Sequence, residues 1–268
     1  MNATHFLANA TYIVGTLDVA ELTFWLFFFF FIGLVIYLNR ESRREGYPLE
    51  SEWDGKLESA PLISAEKKVF KLPHGRGTYI PEDAPRDPVD IPAARAFHAG
   101  GAPYVPTGNP MKDGLGPAAW AQRSDYPDLT FDGRPRIVPI GDSHDIVIAP
   151  KDPNIVGWPV LAADKQIAGK VSDIWVDQSE HIIRYLEVET NAGDKVLAPM
   201  FVAAVQKKGF WGDKPELVEI DAITSAQFAD VPRLKTVGQI TRLEEDKIMA
   251  YYGGGYLYAT PERAEPYL

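Results

Sequence analysis

Cysteine is absent from this chain. Its absence removes disulfides, thiolate nucleophiles and most structural zinc sites together. Histidine is scarce: His5, His74, His98, His144 and His181 are the five present, too scattered to suggest a ligand cluster. Residues 1–39 contain neither Lys nor Arg. Acids outnumber bases over the 268 residues, giving a net charge of −10, which argues against nucleic acid as a partner. No P-loop, nucleophile elbow or HExxH occurs. Gly253-Gly254-Gly255 follows a helical pattern instead of opening one, so it reads as a helix stop and not as a dinucleotide loop. Without a catalytic constellation, the chain is not expected to be an enzyme.

What is present is organised around Leu22 to Leu38, LTFWLFFFFFIGLVIYL, a run without charge. At about 1.5 Å per residue it nearly crosses a hydrocarbon layer of about 30 Å. Asp18 followed by Glu21 resembles a capping box, which predicts a helix starting near Asp18. Trp25 and Tyr37 suit the two interfaces. Arg40, Arg43 and Arg44 follow the run directly. The positive-inside rule therefore puts the N-terminus outside and everything after Arg40 in the cytoplasm. A cleaved signal peptide would need a positive n-region and a small-residue cleavage site, and neither is found.

The expected organisation is an external N-terminus over 1–17, a transmembrane helix over 18–39 and a juxtamembrane segment and linker over 40–68. A Pro-rich extended region follows over 69–159, then a β-barrel core over 160–235 and a C-terminal helix and tail over 236–268. Pro81 to Pro159 holds 14 of the 22 prolines, so regular structure there is sparse. Phe97, Tyr104, Met111, Leu115, Trp120, Tyr126 and Phe131 are too many apolar anchors for a solvated tail. They predict extended chain laid over its own domain or a neighbouring subunit.

From Val160 the pattern is β. KVSDIWVD carries Val171, Ile174 and Val176. IIRYLEVE alternates, with Arg184, Leu186 and Val188 on one side and Ile183, Tyr185, Glu187 and Glu189 on the other. Short strands follow at Lys195 to Ala198, Phe201 to Gln206 and Leu217 to Ile220, with Lys207 to Gly212 as a hairpin tip. Strands at this spacing predict a small barrel. One or two helical turns over Ala222 to Phe228 close it. TRLEEDKIMAYY, Thr241 to Tyr252, predicts a helix ended by the three glycines, with a short strand at Tyr256-Leu257-Tyr258.

One acidic group stands out. Asp173, Asp177 and Glu180 fall close together with His181 and Arg184, and DQSE reads as the turn between two strands. It reads either as a solvated turn or as a proton-exchanging surface cluster, because neighbouring carboxylates favour one another's protonated forms.

Several strings resemble the H-subunit family of the purple-bacterial photosynthetic reaction centre: RREGYPLE, KLPHGRGT, PTGNPMKDGLGPAAW, RIVP, AGKVSDIWVD with SEHIIRYLEVE, and LEEDKIMAYYGGGYLYATPERAE. They follow family order over nearly all of the chain. The resemblance implies a single transmembrane helix plus a mainly-β cytoplasmic domain with a PRC-type β-barrel and a C-terminal helix. It implies a structural subunit that caps the L and M subunits, beside a core light-harvesting antenna, a bound cytochrome subunit in some complexes, and membrane lipids. The membrane would be the bacterial inner (intracytoplasmic or chromatophore) membrane, crossed once, with the N-terminus periplasmic. The complex would carry bacteriochlorophyll, bacteriopheophytin, quinones, non-haem iron and carotenoid, none of them bound directly by this chain. The His-free apolar run agrees, since bacteriochlorophyll magnesium is usually ligated by His.

In that family, cytoplasmic protons bound for the secondary quinone enter through H-subunit acids. Asp132 in DG, Asp177 in IWVD, Glu180 in SEH and Arg184 in RYLEVE match positions of that route or its setting. Some relatives carry two His after the DG pair, where this chain has Arg134-Pro135-Arg136. A histidine entry point or surface zinc site is therefore not expected. The alternative reading, from another class, is a membrane-tethered PRC-barrel adaptor that docks a soluble partner.

Overall fold

The structure is a computed structural model that describes residues 12–14, 17–44, 49, 56, 66–83, 91–143, 145–207 and 215–264. It divides into two compact units, Met1–Arg86 and Asp87–Leu268. That division falls inside the expected Pro-rich region. Most of the linker, His144 and the tip beyond Lys207 lie outside the described residues.

The first unit holds β1 (Tyr12–Val14), β2 (Leu17–Asp18), α1 (Val19–Ser42), β3 (Phe70–Lys71) and β4 (Thr78–Tyr79). The Asp18 carboxylate caps α1 by accepting from Glu21 N–H at 2.7 Å, as the Asp18/Glu21 spacing predicts. The 24-residue helix buries none of its side chains within the chain and is long and apolar enough to cross a membrane.

The second unit holds β5 (Ala93–Arg95), β6 (Tyr104–Pro106), α2 (Pro110–Asp113), β7 (Ile137–Pro139), β8 (Pro159–Ala162), β9 (Ile167–Asp177), β10 (Ile182–Thr190), β11 (Lys195–Pro199), β12 (Ala203–Gln206), β13 (Leu217–Ile220) and α3 (Arg242–Tyr258). Its seven-stranded sheet runs β11-β10-β9-β8-β13-β12, with β7 pairing the end of β9. Among the described residues only β13 and β8 pair in parallel. The strands at its two edges, β11 and β12, are linked through the 3-10 turn Met200–Val202. Trp175, Leu186, Ile220, Phe228 and Tyr252 fill the core.

Two expectations change. The alternation along β10 breaks: a bulge between Ile183 and Tyr185 turns both Tyr185 and Leu186 inward and leaves Arg184 outside. The glycines do not stop α3, and Tyr256-Leu257-Tyr258 continues it as helix instead of forming a strand. A Cβ on Gly254 would stand 2.5 Å from the Ala118 Cβ, and one on Gly255 2.3 Å from the Ala222 carbonyl oxygen. The helix continues because bare backbone lets it press onto those neighbours. Of the apolar anchors in the Pro-rich stretch, Met111 is buried within the chain, Leu115 and Trp120 are half-buried, and Phe97, Tyr104, Tyr126 and Phe131 are exposed. Short elements nonetheless order this stretch, with α2 and the 116–118 turn packing on α3.

Candidate functional site

The site is the end of the barrel where β9 turns into β10. Asp177 closes β9 and is fully buried. Its Oδ1 accepts from Ser179 N–H at 2.9 Å and Glu180 N–H at 3.0 Å, an Asx-type turn. His181 adopts φ +56 and donates its N–H to the Asp177 carbonyl at 2.8 Å, so the chain reverses into β10. Such a left-handed residue costs roughly 1–2 kcal/mol, here set against the closed turn.

A second segment docks on this end through β7, with Ile137 opposite Asp177. The Gln178 amide donates to the Pro135 carbonyl at 2.9 Å, and Gln178 N–H donates to the Arg136 carbonyl at 2.9 Å. Arg136 is thereby fixed over the turn. Its Nε donates to both Asp177 oxygens at 3.0 and 2.9 Å, one Nη donates to the Glu180 carboxylate, and the other lies 3.5 Å from Asp128 Oδ2. Arg184 Nε stands 4.0 Å from Asp177 Oδ2.

The electrostatics differ from the sequence expectation of mutually protonating acids. Burial works against the Asp177 charge, but the Arg136 hydrogen bond, the Glu180 and Ser179 N–H groups and the Arg136 charge outweigh it. The net effect holds this carboxyl below the usual Asp range. Asp177 is a fixed anion. Its hydrogen bond to Arg136 in turn secures the guanidinium charge against burial.

Of the four residues singled out from the sequence, Asp177, Glu180 and Arg184 meet in this cluster. Asp132 does not. It sits in its own turn, bonded by the Thr130 hydroxyl and paired with Arg134 Nε at 2.6 Å, and both interactions lower its pKa. A polar recess of about 200 Å³ lies between the two turns, lined by Asp132, Arg134, Gln178, Ser179 and His181 among others. Asp173 lies outside the cluster: four positions back along β9, at about 3.3 Å per residue, it faces Glu187 on β10.

Sequence reasoning missed two participants. Arg136 is the hub, yet it stood out only as a departure from relatives. Glu245, at the start of α3, accepts from the Tyr185 hydroxyl at 3.1 Å and was not considered. Among the described residues no three His, Cys, Asp or Glu side chains are grouped to hold a metal ion, and α1 contains no His.

Residues 11–142 match the family model of the photosynthetic reaction centre H-chain N-terminal region. Residues 151–233 match the PRC-barrel domain. Asp132 and Arg136 fall in the first match, while Asp177, Glu180 and Arg184 fall in the second, so the cluster is assembled where the two matched segments dock. With both models in chain order and the site built from both, the chain belongs to the photosynthetic reaction centre H-chain family, with a PRC-barrel as its β domain.

Proposed function

We propose that this chain caps the L and M subunits of a light-driven reaction centre on the cytoplasmic side and supports proton delivery to the secondary quinone. The observation that carries the reading is the Arg136 hub, which holds a half-exposed Glu180 beside a buried, ionised Asp177 in a chain of this family. The adaptor alternative accounts for residues 151–233 but leaves the H-chain match over 11–142 without a role. Arg40 at the end of α1, and the lack of Lys and Arg before it, support a periplasmic N-terminus and a cytoplasmic barrel.

When bound by the partner subunits, the quinone takes up electrons and protons. Within this chain, Glu180 is the acid assigned to that route, its carboxylate half-exposed beside the fully buried one of Asp177. Asp177 and Arg136 hold the turn that carries it, and Arg184 adds a second positive charge nearby. Asp132, at the far side of the recess, is a surface acid to which incoming protons bind first. The exposed Phe97, Tyr104, Tyr126 and Phe131 support contact with neighbouring subunits, and the His-free α1 supports pigment ligation by those subunits instead of this one.

The test is flash kinetics on the purified complex. Glu180→Gln should slow proton-coupled transfer of the second electron and leave primary charge separation unchanged. Asp132→Asn should have a smaller effect, because surface acids substitute for one another. A Gln variant equal to wild type across the neutral pH range would reduce Glu180 to a solvated turn residue.

A further inference from the structure

An apolar cavity of about 430 Å³ adjoins the polar recess, with His181 in the lining of both. Its size falls within the range of small-ligand pockets. β9 contributes the buried Ile174 and Val176, β10 contributes Ile182 and Ile183, and β12 contributes Val205. A strap over 140–155, between β7 and β8, supplies Ile140, Ile146, Ile148 and Ile155. Ile146 and Ile148 are half-buried while Val147 between them is 83% exposed, the alternation of extended chain. Val147 also lines the cavity, so the apolar interior opens to the surface there.

Three lining residues are charged or polar: Asp152, His181 and Lys207. Strand directions fix where two of them lie. β12 is antiparallel to β13, β13 is parallel to β8, and β8 is antiparallel to β9, so β12 and β9 run the same way. Lys207 follows β12 and His181 closes the turn after β9, which puts both at one end of the sheet. Among the described residues no hydrogen bond or ion pair engages the Lys207 ammonium or the His181 ring. Asp152 is further along the strap, toward Gly157, whose N–H donates to the Val171 carbonyl at 2.8 Å. Val171 and Asp177 are six residues apart on β9, a span of about 20 Å. The cavity is thus apolar along its length with its basic groups gathered at one end.

We propose that this cavity binds an anionic amphiphile. The alkyl chain lies against Ile174, Val176 and the strap isoleucines, and the carboxylate or phosphate head meets Lys207, with a His181 ring N–H donating to it. The lining decides the class. A sugar or nucleotide needs hydrogen-bonding groups along its length, and this cavity offers them at its ends only. A cationic head would be repelled by Lys207, and a neutral one would leave that charge unmatched. On a chain of net charge −10, an unpaired lysine beside an apolar cavity is a local match for an acid with an apolar tail. A free fatty acid and one chain of an acidic phospholipid share this chemistry. The site does not depend on the function proposed above.

The experiment is photolabelling of the intact complex with a diazirine-bearing fatty acid, with the labelled residues mapped by mass spectrometry. Label should fall on residues 146–148 and 182–183. Saturated fatty acids should compete, each added methylene tightening competition about fourfold until the chain fills the cavity. Lys207→Glu should weaken the acid about tenfold, by removing one attraction and adding one repulsion. The long-chain alcohol of equal length should bind both proteins alike. Ile148→Trp, which fills the cavity, should abolish labelling. If that variant does not assemble, the comparison of acid with alcohol at Lys207 still decides. A diazirine-bearing phosphatidylglycerol identifies the source: labelling of the same residues, in competition with the acid, assigns a membrane lipid chain, and its failure assigns a free acid. Absence of label from these residues would mean that a neighbouring subunit covers the cavity, and overturns the proposal. Equal losses for acid and alcohol in Lys207→Glu, or competition that strengthens with chain length without limit, would show mere partitioning and overturn it too.

Discussion

Arg136 and Asp177 lie 41 residues apart in sequence, yet the guanidinium Nε reaches both oxygens of a carboxylate that has no exposed surface. Removing the arginine leaves that charge buried with two backbone N–H donors and Arg184 Nε at 4.0 Å. Losing one partner of a buried pair costs about 3–5 kcal/mol, and the partial exposure of Arg136 places Arg136→Met at the lower end, about 3 kcal/mol. Chemical unfolding of the variant would measure it. A loss below about 1 kcal/mol, the range of surface pairs, would mean that water replaces the guanidinium freely.

The pH dependence has two opposite signs in this small region. Asp177 is lowered on folding, so its contribution is full above the unfolded value of about 3.9 and is lost as pH falls through the folded one. Glu245 is raised, so its contribution is full below the unfolded value of about 4.3 and is lost as pH rises through the folded one. Asp177→Asn should therefore flatten the acid limb of a stability profile. Glu245→Gln should remove a decline on its upper side. Parallel profiles for wild type and both variants would contradict both assignments.

Much of the architecture is written locally. The uncharged run from Leu22 and the Asp18 cap set α1, and the β-rich strings set β9 and β10 with DQSE between them. The cluster was only half legible. Asp177, Glu180 and Arg184 are near neighbours in sequence, so one turn gathers them, whereas Arg136 arrives through β7 pairing with β9, a long-range contact that no local pattern signals. Glu245 was hidden for a similar reason, because the β10 bulge that aims Tyr185 at it breaks the alternation used to read that strand. The glycines misled because turn chemistry and close packing ask for the same residue.

Trp120 should matter less than a core tryptophan. Full burial would make Trp120→Ala cost about 3–5 kcal/mol, but this ring is half-buried, with Lys247 Nζ 4.3 Å from its centre. A loss nearer 2 kcal/mol is expected, of which roughly 0.5–1 kcal/mol belongs to the cation–π contact. Lys247→Met should show that smaller part alone. If Trp120→Ala reached the full-burial range in the assembled complex and not in the separated chain, a neighbouring subunit would be covering the ring.

The glycines of α3 give a test in which two effects oppose each other. Alanine is the better helix former by about 1 kcal/mol, so an open glycine position should gain from the exchange. At Gly254 the new Cβ would lie 2.5 Å from the Ala118 Cβ and 3.1 Å from its Cα. Neither atom can swing away, because Ala118 is itself buried in the 116–118 turn. Overpacking of this kind costs about 1–3 kcal/mol, which exceeds the propensity gain over most of that range. Gly253 is the internal control: its Cβ would approach only the Pro117 carbonyl oxygen, at 3.3 Å, a distance that a small shift relieves. Thermal unfolding should therefore rank Gly253→Ala near wild type and Gly254→Ala below it. The reverse order would show that α3 is not pressed onto the 116–118 turn, and that the glycines continue the helix for some reason other than close approach.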